Sequence, residues 1–274
     1  MNEGGGGRKK SSPETLMNTI FDVDNKTIRN LLQRRTIREF KDEPLDDALL
    51  ARLFEAVNRT ASSTGMQQYS MIRVKDEAVR KALADVAGQE YLARAPELVI
   101  FIVDLYRNNK IAALKGESVV AGNTMDAFFQ GFSDAILAAQ TLTTAVEASG
   151  LGAVYFGSIL NDPGRVIEIL KLPTLTFPAL GVGFGKINQE PMLKPRMPLS
   201  EKLFTDTYEK LEIDTEALAR YDAEMETYYD LRDMNRRVDS FSKQVVTRLN
   251  TVAKKRQRML DYIAAQGFVL KPEA

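Results

Sequence analysis

Arg34-Arg-Thr-Ile-Arg38 sets three guanidinium groups and a hydroxyl within five residues. Arginine forks match phosphate and carbonyl oxygens, and each such charge-assisted hydrogen bond contributes roughly 1.5–3 kcal/mol. A second cationic pair, Lys194 and Arg196, lies in Leu193-Lys-Pro-Arg-Met-Pro198, where prolines stiffen the backbone. A third segment, Ser62-Ser-Thr-Gly-Met-Gln67, offers hydroxyls, backbone N–H groups and one amide. Taken singly, each segment reads more readily as structural than as a ligand cradle.

The 274 residues contain no His, no Cys and no Trp. That removes Ser-His-Asp and Cys-His catalysis, imidazole or thiolate metal ligation, disulfides and Cys-held iron–sulfur clusters. Carboxylate, Lys, Arg, hydroxyl and Tyr chemistry survives, together with whatever a bound organic cofactor supplies. Acid pairs such as Asp22/Asp24, Asp42/Glu43 and Asp46/Asp47 lack a calcium-loop spacing, so no metal is expected.

Other motifs carry less. Gly181-Val-Gly-Phe-Gly-Lys186 fits neither the Walker pattern nor GxGxxG and reads as a strand entering a turn. The basic run Lys243, Arg248, Lys254, Lys255, Arg256 and Arg258 has no interleaved aromatic side chain to stack bases, so a solvated or partner-facing helix is expected and no nucleic acid. With 37 basic and 37 acidic residues the formal net charge is zero, which argues against a general polyanion surface. No apolar run approaches the ~20 residues that span a bilayer, and no signal peptide is evident, so no membrane partner and a cytoplasmic address are expected.

These segments need elements to position them. Residues 1–13 read as a flexible tail and 14–274 as a single domain, with a helical, charged C-terminal extension over about 215–267. Helices are expected over Asn25–Arg35, with Ile28, Leu31 and Leu32 inward, and over Asp46–Arg59, with Asp46 as N-cap. Further helices fit Asp76–Val86, Thr124–Ser149 and Pro163–Leu170, and strands fit Tyr69–Val74, Glu97–Asp104, Leu151–Phe156 and Phe177–Phe184. Thr124–Ser149 is apolar almost all round, as a helix buried on most sides is. The alternation defines an α+β sheet fold.

The order of the motifs resembles the flavin-dependent nitroreductase family. The resemblance rests on Arg34-Arg-Thr-Ile-Arg-Glu-Phe40, Asp42-Glu-Pro44, Ala61-Ser-Ser-Thr-Gly-Met-Gln67, Ala95-Pro96 before a strand ending at Asp104, and Gly150-Leu-Gly-Ala-Val-Tyr-Phe-Gly157. Leu193–Pro198 and a tail carrying Tyr221-Asp222, Tyr228-Tyr229 and Asn235-Arg-Arg237 are similar to the larger, NADPH-preferring oxygen-insensitive nitroreductase and flavin reductase branch.

The resemblance implies a central, mostly antiparallel sheet flanked by helices in an intertwined homodimer, with Thr124–Ser149 at the dimer core. It implies FMN as cofactor and NADPH (or NADH) as co-substrate, with hydride passing through flavin N5 to a nitroaromatic, quinone, azo or flavin acceptor in a ping-pong cycle. Arg34, Arg35, Thr36, Lys194 and Arg196 would hold the phosphate and ribityl chain. Arg38 would be the cation at the flavin N1/O2 edge. Ser62, Ser63, Thr64, Gln67 and Gln89 would line the ribityl and pyrimidine side, and Gly157 and Ser158 would approach O4 and N5. An arginine among Arg232, Arg236 and Arg237 would bind the NADPH 2′-phosphate. Two other readings stay open: a specialised reductase of a disulfide or halogenated aromatic, and a flavin-binding regulator with a basic tail.

Overall fold

The computed structural model describes residues 25–208, 212–230 and 236–271. They divide into two units at the Arg34–Arg35 peptide bond. The described part of the first is one helix, α1 (Lys26–Gln33), which Asn25 caps by accepting from the Ile28 N–H at 3.1 Å. It stops two residues earlier than the sequence pattern suggests, because Arg34 turns extended (ψ 139°). The inward assignment of its apolar residues does not hold: Ile28 and Leu31 are exposed and Leu32 is half-buried.

The second unit is built on four antiparallel strands, β1 (Tyr69–Arg73), β2 (Glu97–Asp104), β3 (Gly152–Phe156) and β4 (Thr176–Gly185), in the order β1-β2-β4-β3. β2 and β4 are central, so they read as continuous apolar runs and not as alternation. Every residue of β2 is buried. Pro178 is tolerated in a central strand because a register shift between Phe101 and Ile102 of β2 falls opposite it.

One face of the sheet carries α2 (Asp47–Asn58) and α6 (Met125–Ala148), joined to it through Leu50, Leu53, Val99, Phe101, Ala135, Ala139, Leu142 and Phe184. The other carries α3 (Glu77–Ala87) and α7 (Pro163–Leu170), packed on Leu98, Ile100, Val154 and Phe156. The cap foreseen at Asp46 accepts from the Leu49 N–H, and Asp76, expected as the first helical residue, is likewise an N-cap accepting from the Val79 N–H, each at 2.9 Å. Gly181, Gly183 and Gly185 belong to β4 and to the second face. A Cβ on Gly183 would sit 2.7 Å from the Phe156 ring, and one on Gly185 2.7 Å from Pro96. The glycine stripe is therefore a groove into which Phe156 and the Ala95-Pro96 step fit, not a phosphate loop. Arg80 of α3 fixes that step by donating to the Ala95 and Pro96 carbonyls.

Two short helices fall where the sequence shows no clear period: α4 (Tyr91–Arg94) and α5 (Tyr106–Leu114). α6 is buried along a stripe, not on most sides as its composition suggests: Phe128, Gly131, Asp134, Ala138 and Leu142 face in, while Phe129 and Leu137 are 61% and 49% exposed.

The C-terminal part contains α8 (Thr215–Thr227), a hairpin of β5 (Tyr229–Asp230) and β6 (Arg236–Arg237), α9 (Phe241–Leu249), α10 (Lys254–Gln257) and α11 (Met259–Ala265). Ile263 and Phe268 seal the end of the sheet against Val103, Phe128 and Phe177. Among the described residues no helix is long and apolar enough to cross a membrane.

Candidate functional site

The chain from Arg35 to Lys41 is held along one corner of the sheet. The Ile37 N–H donates to the Ala153 carbonyl at 3.0 Å, and Thr36 bridges Ala153 at the outer edge of β3. Phe40 bridges Ile187, and the Lys41 N–H donates to the Lys186 carbonyl at 2.9 Å just past the end of β4. The side-chain oxygen of Gln189 accepts from the Arg38 and Glu39 N–H groups. Ile37 is buried, and Gly152 is required beside it, since a Cβ there would meet Ile37 at 2.6 Å. The result is a fixed backbone from which Arg35 projects exposed and Arg38 half-buried. Arg34 ends the other unit, as the C-cap of α1.

Gln89 and Ser158 meet although distant in sequence. Gly88 ends α3 in the left-handed conformation (φ 63°), which turns the chain at Gln89. β3 runs directly into a 3₁₀ turn, Gly157–Asn161, and Ser158 Oγ donates to Gln89 Oε1 at 2.8 Å. The same turn is tied down by the C-terminal segment: Arg256 donates to the Gly157 carbonyl at 3.2 Å, and Lys255 pairs with Asp162. Burial pushes the Asp162 carboxyl up, but hydrogen bonds from Lys255 and the Arg165 N–H outweigh it and hold the group below its ordinary value. Much of the basic run is thus engaged within the chain; Arg258 pairs with Asp261 and Lys243 with Asp239.

The Ser62–Gln67 loop sits elsewhere. It contains a one-turn 3₁₀ helix, Ser63–Gly65, with positive φ at Thr64, Gly65 and Gln67. The Ser63 and Gln68 N–H groups donate to the two oxygens of Asp134 at 2.7 and 3.0 Å. From the other side, Asn108 donates to the Met66 carbonyl at 3.0 Å, and Arg107 donates to the Gln67 carbonyl. A cavity of about 520 Å³ adjoins the loop, lined in part by Thr64, Met66, Gln68 and Gln130.

The register fixes how far apart these groups lie. Thr36 is level with Ala153, hence with Phe184 and Glu97 at the start of β2, whereas Gln68 accepts from Asp104 at its end. The two corners are separated by the eight residues of β2, about 25 Å, and by the width of the sheet. Within one chain the Arg35–Arg38 corner and the Ser62–Gln67 loop do not share a site.

Lys194 lies 5.8 Å over the ring of Tyr228, a buried residue, and Arg196 donates to the Lys194 and Pro195 carbonyls. Arg232 lies outside the described residues, and Arg236 and Arg237 form β6. Among the described residues no cluster of three or more acids suits a metal. Asp134, Arg107 and Gln189 are absent from the sequence reading, and Arg256 enters it only as part of the basic run; of the first three only Asp134 leaves a trace, as an acid on the inward stripe of an apolar helix.

The described residues thus place arginines on a pinned sheet edge, an amide–hydroxyl pair beyond β3 and a hydroxyl-rich loop at the far corner of an antiparallel α+β sheet. The chain belongs to the nitroreductase family: the family's profile matches residues 31–186, and that of the nitroreductase family C-terminal domain matches 194–271. It is 34% identical over 246 residues to an oxygen-insensitive NADPH nitroreductase of Salmonella typhimurium, covering 89% of this chain and 99% of that one. It is 33% identical over 249 residues to an NADPH-dependent oxidoreductase of Staphylococcus saprophyticus, covering 89% and 98%. Among solved structures, NfrA2 of B. megaterium superposes with a TM-score of 0.83 at 29% identity, covering 90% and 100%. The NADPH:FMN oxidoreductase of Vibrio harveyi, solved with NAD+, gives 0.79 at 29% identity, covering 89% and 99%.

Proposed function

We propose that this chain is an FMN-dependent NADPH oxidoreductase that works as a homodimer and delivers electrons to nitroaromatic, quinone, azo or free flavin acceptors. The observation that carries the reading is the pinned Arg35–Lys41 backbone, whose N–H groups donate to Ala153, Lys186 and Gln189 and so fix where the Arg35 and Arg38 side chains leave the sheet edge.

The donor set fits FMN. Arg35, Lys194 and Arg196 are cations of the kind a phosphate requires, Thr36 offers a hydroxyl, and Gln89 with Ser158 presents an amide and a hydroxyl suited to a pyrimidine edge. Gly157 has open space on its Cβ side, with nothing within 4 Å of where a Cβ would stand, so a ligand can come close to its backbone. When bound, FMN supplies acceptance of hydride from NADPH at N5 and its onward delivery in a second half-reaction. Arg38 stabilises negative charge at the pyrimidine edge during the first half-reaction. No imidazole exists to move protons, so the acceptor's protons come from solvent, the cofactor or a residue such as Tyr.

The opposite placement of the Arg35–Arg38 corner and the Ser62–Gln67 loop supports a site made by two copies, one giving the arginines and the other the loop. The exposed Phe129 and Leu137 on α6 supply apolar surface for that pairing. We treat residues 14–274 as one functional domain, with the helices after 215 as its extension, and one of Arg232, Arg236 and Arg237 as the NADPH 2′-phosphate contact.

The purified protein should be yellow, carry FMN near one per chain, and bleach anaerobically with NADPH. A colourless protein that does not take up FMN overturns the proposal.

A further inference from the structure

The Ser62–Gln67 loop has an unusual support. Asp134 is a carboxylate with no exposed surface, in the middle of a helix stripe whose other buried residues are apolar apart from Thr143. Burying it is favourable only if both oxygens are satisfied. They are: Oδ1 takes the Ser63 N–H at 2.7 Å and Oδ2 the Gln68 N–H at 3.0 Å. One side chain thus closes both ends of a segment that contains three positive-φ residues. Two neighbours on α6 reinforce the grip. Gln130 accepts from the Gln68 amide at 3.1 Å, and Gly131 lets the loop come close, since a Cβ there would stand 2.8 Å from the Gln68 carbonyl. Backbone conformations of this kind persist only when the surroundings over-determine them.

We infer that Asp134 is a positioning residue for the flavin site: it sets the shape of the Ser62–Gln67 loop, and through it the affinity for FMN, without touching the cofactor. The inference rests on the FMN reading above for its consequence, but the clamp itself stands on geometry alone. Asp134→Asn replaces one accepting oxygen by an NH2 group facing an N–H, and Asp134→Ala leaves two N–H groups buried without an acceptor.

The chain also offers a probe that leaves α6 untouched. Ser63 is the first residue of the 3₁₀ turn and Ser62 before it is extended (φ −132°, ψ 153°), the two conditions proline requires. Ser63→Pro therefore deletes the clamped N–H with little backbone conflict, and Ser63→Ala, which keeps that N–H, is its control.

The test combines amide hydrogen exchange on the 62–68 segment with FMN titration of the apoprotein, in the full chain, for all four variants. Exchange over 62–68 should accelerate at least tenfold in Asp134→Asn, Asp134→Ala and Ser63→Pro and stay unchanged in Ser63→Ala, with β2 and the rest of α6 protected as before. FMN Kd should rise at least tenfold over wild type in the two Asp134 variants and at least tenfold over Ser63→Ala in Ser63→Pro, the alanine variant accounting for the Ser63 hydroxyl itself. Combining Ser63→Pro with Asp134→Asn should add little to either alone. If an Asp134 variant does not fold, Ser63→Pro against Ser63→Ala decides the matter. Unchanged exchange in 62–68 overturns the clamp. Accelerated exchange with FMN Kd within twofold of wild type overturns its role in positioning. A wild-type chain that takes up no FMN while the variants still loosen 62–68 sinks the functional reading and leaves the clamp standing.

Discussion

Ser158 donates its hydroxyl to Gln89 Oε1 at 2.8 Å, joining the turn after β3 to the turn after α3. With that oxygen engaged, the NH2 group of the same amide is what Gln89 would donate to a pyrimidine carbonyl in the proposed flavin site. Ser158→Ala removes a hydrogen bond worth about 1 kcal/mol, so the FMN Kd should rise about fivefold with little change in melting temperature. Fluorescence titration of the apoprotein checks this, and an unchanged Kd would take the pair out of the flavin site.

Arg38 is held at its backbone by Gln189, so its side chain can be changed without freeing the strand edge. Arg38→Ala should slow anaerobic flavin reduction by NADPH more than it weakens FMN binding. Stopped-flow rates set against the Kd decide this; equal losses mean that Arg38 only retains the cofactor.

If the site is made by two copies, as proposed, complementation should follow. A chain defective at Arg35 and Arg38, and a chain defective at Asp134, should each form nearly inactive dimers. Refolded together, the mixed dimers contain one site with both halves intact and should recover about half of the activity per mixed dimer. Absence of recovery in mixtures shown to contain heterodimer would mean that each chain builds its own site.

The Asp222 carboxylate accepts from the Ser242 N–H at 2.9 Å and from its hydroxyl at 2.5 Å, joining α8 to the start of α9. The side-chain bond from Ser242 is the main reason its pKa lies below the ordinary 3.8, with burial opposing. A carboxyl depressed on folding adds stability above its unfolded pKa and loses it as pH falls through the folded value. Asp222→Asn should therefore be less stable than wild type at neutral pH, with the gap closing below about pH 4. Denaturant melts across pH measure this; a gap that persists into acid would assign the effect to geometry and not to charge.

Gly183→Ala should destabilise by about 1–3 kcal/mol, because the added methyl meets Phe156 at 2.7 Å and Ala95 at 3.0 Å in a packed face. Chemical denaturation of the FMN-free protein reads this directly. A neutral substitution would show that Phe156 has room to move aside.

What was legible in the sequence is what short-range rules control. Asp46 marked a helix start to the residue and Asp76 to within one, and the apolar run 97–104 became β2 without adjustment. α5 escaped because it buries no residue, so Tyr106–Leu114 carries no period. The glycines of 181–185 were assigned to a strand, but their purpose waited on Phe156, a residue of the neighbouring strand. The site divides in the same way. The cationic and hydroxyl segments announce themselves by composition. Gln189 supporting Arg38, and Asp134 supporting Ser63, are contacts across 151 and 71 positions that no local pattern encodes.

The bridge between Thr36 and Ala153 has a further consequence. β3 is the last strand of its sheet, and an unprotected last strand invites pairing with a foreign chain. The segment that carries Arg35 and Arg38 is what shields that border. Under the proposed function, ligand capture and resistance to aggregation depend on the same few residues, and a change that loosens this segment would expose a sticky edge as well as weaken the site.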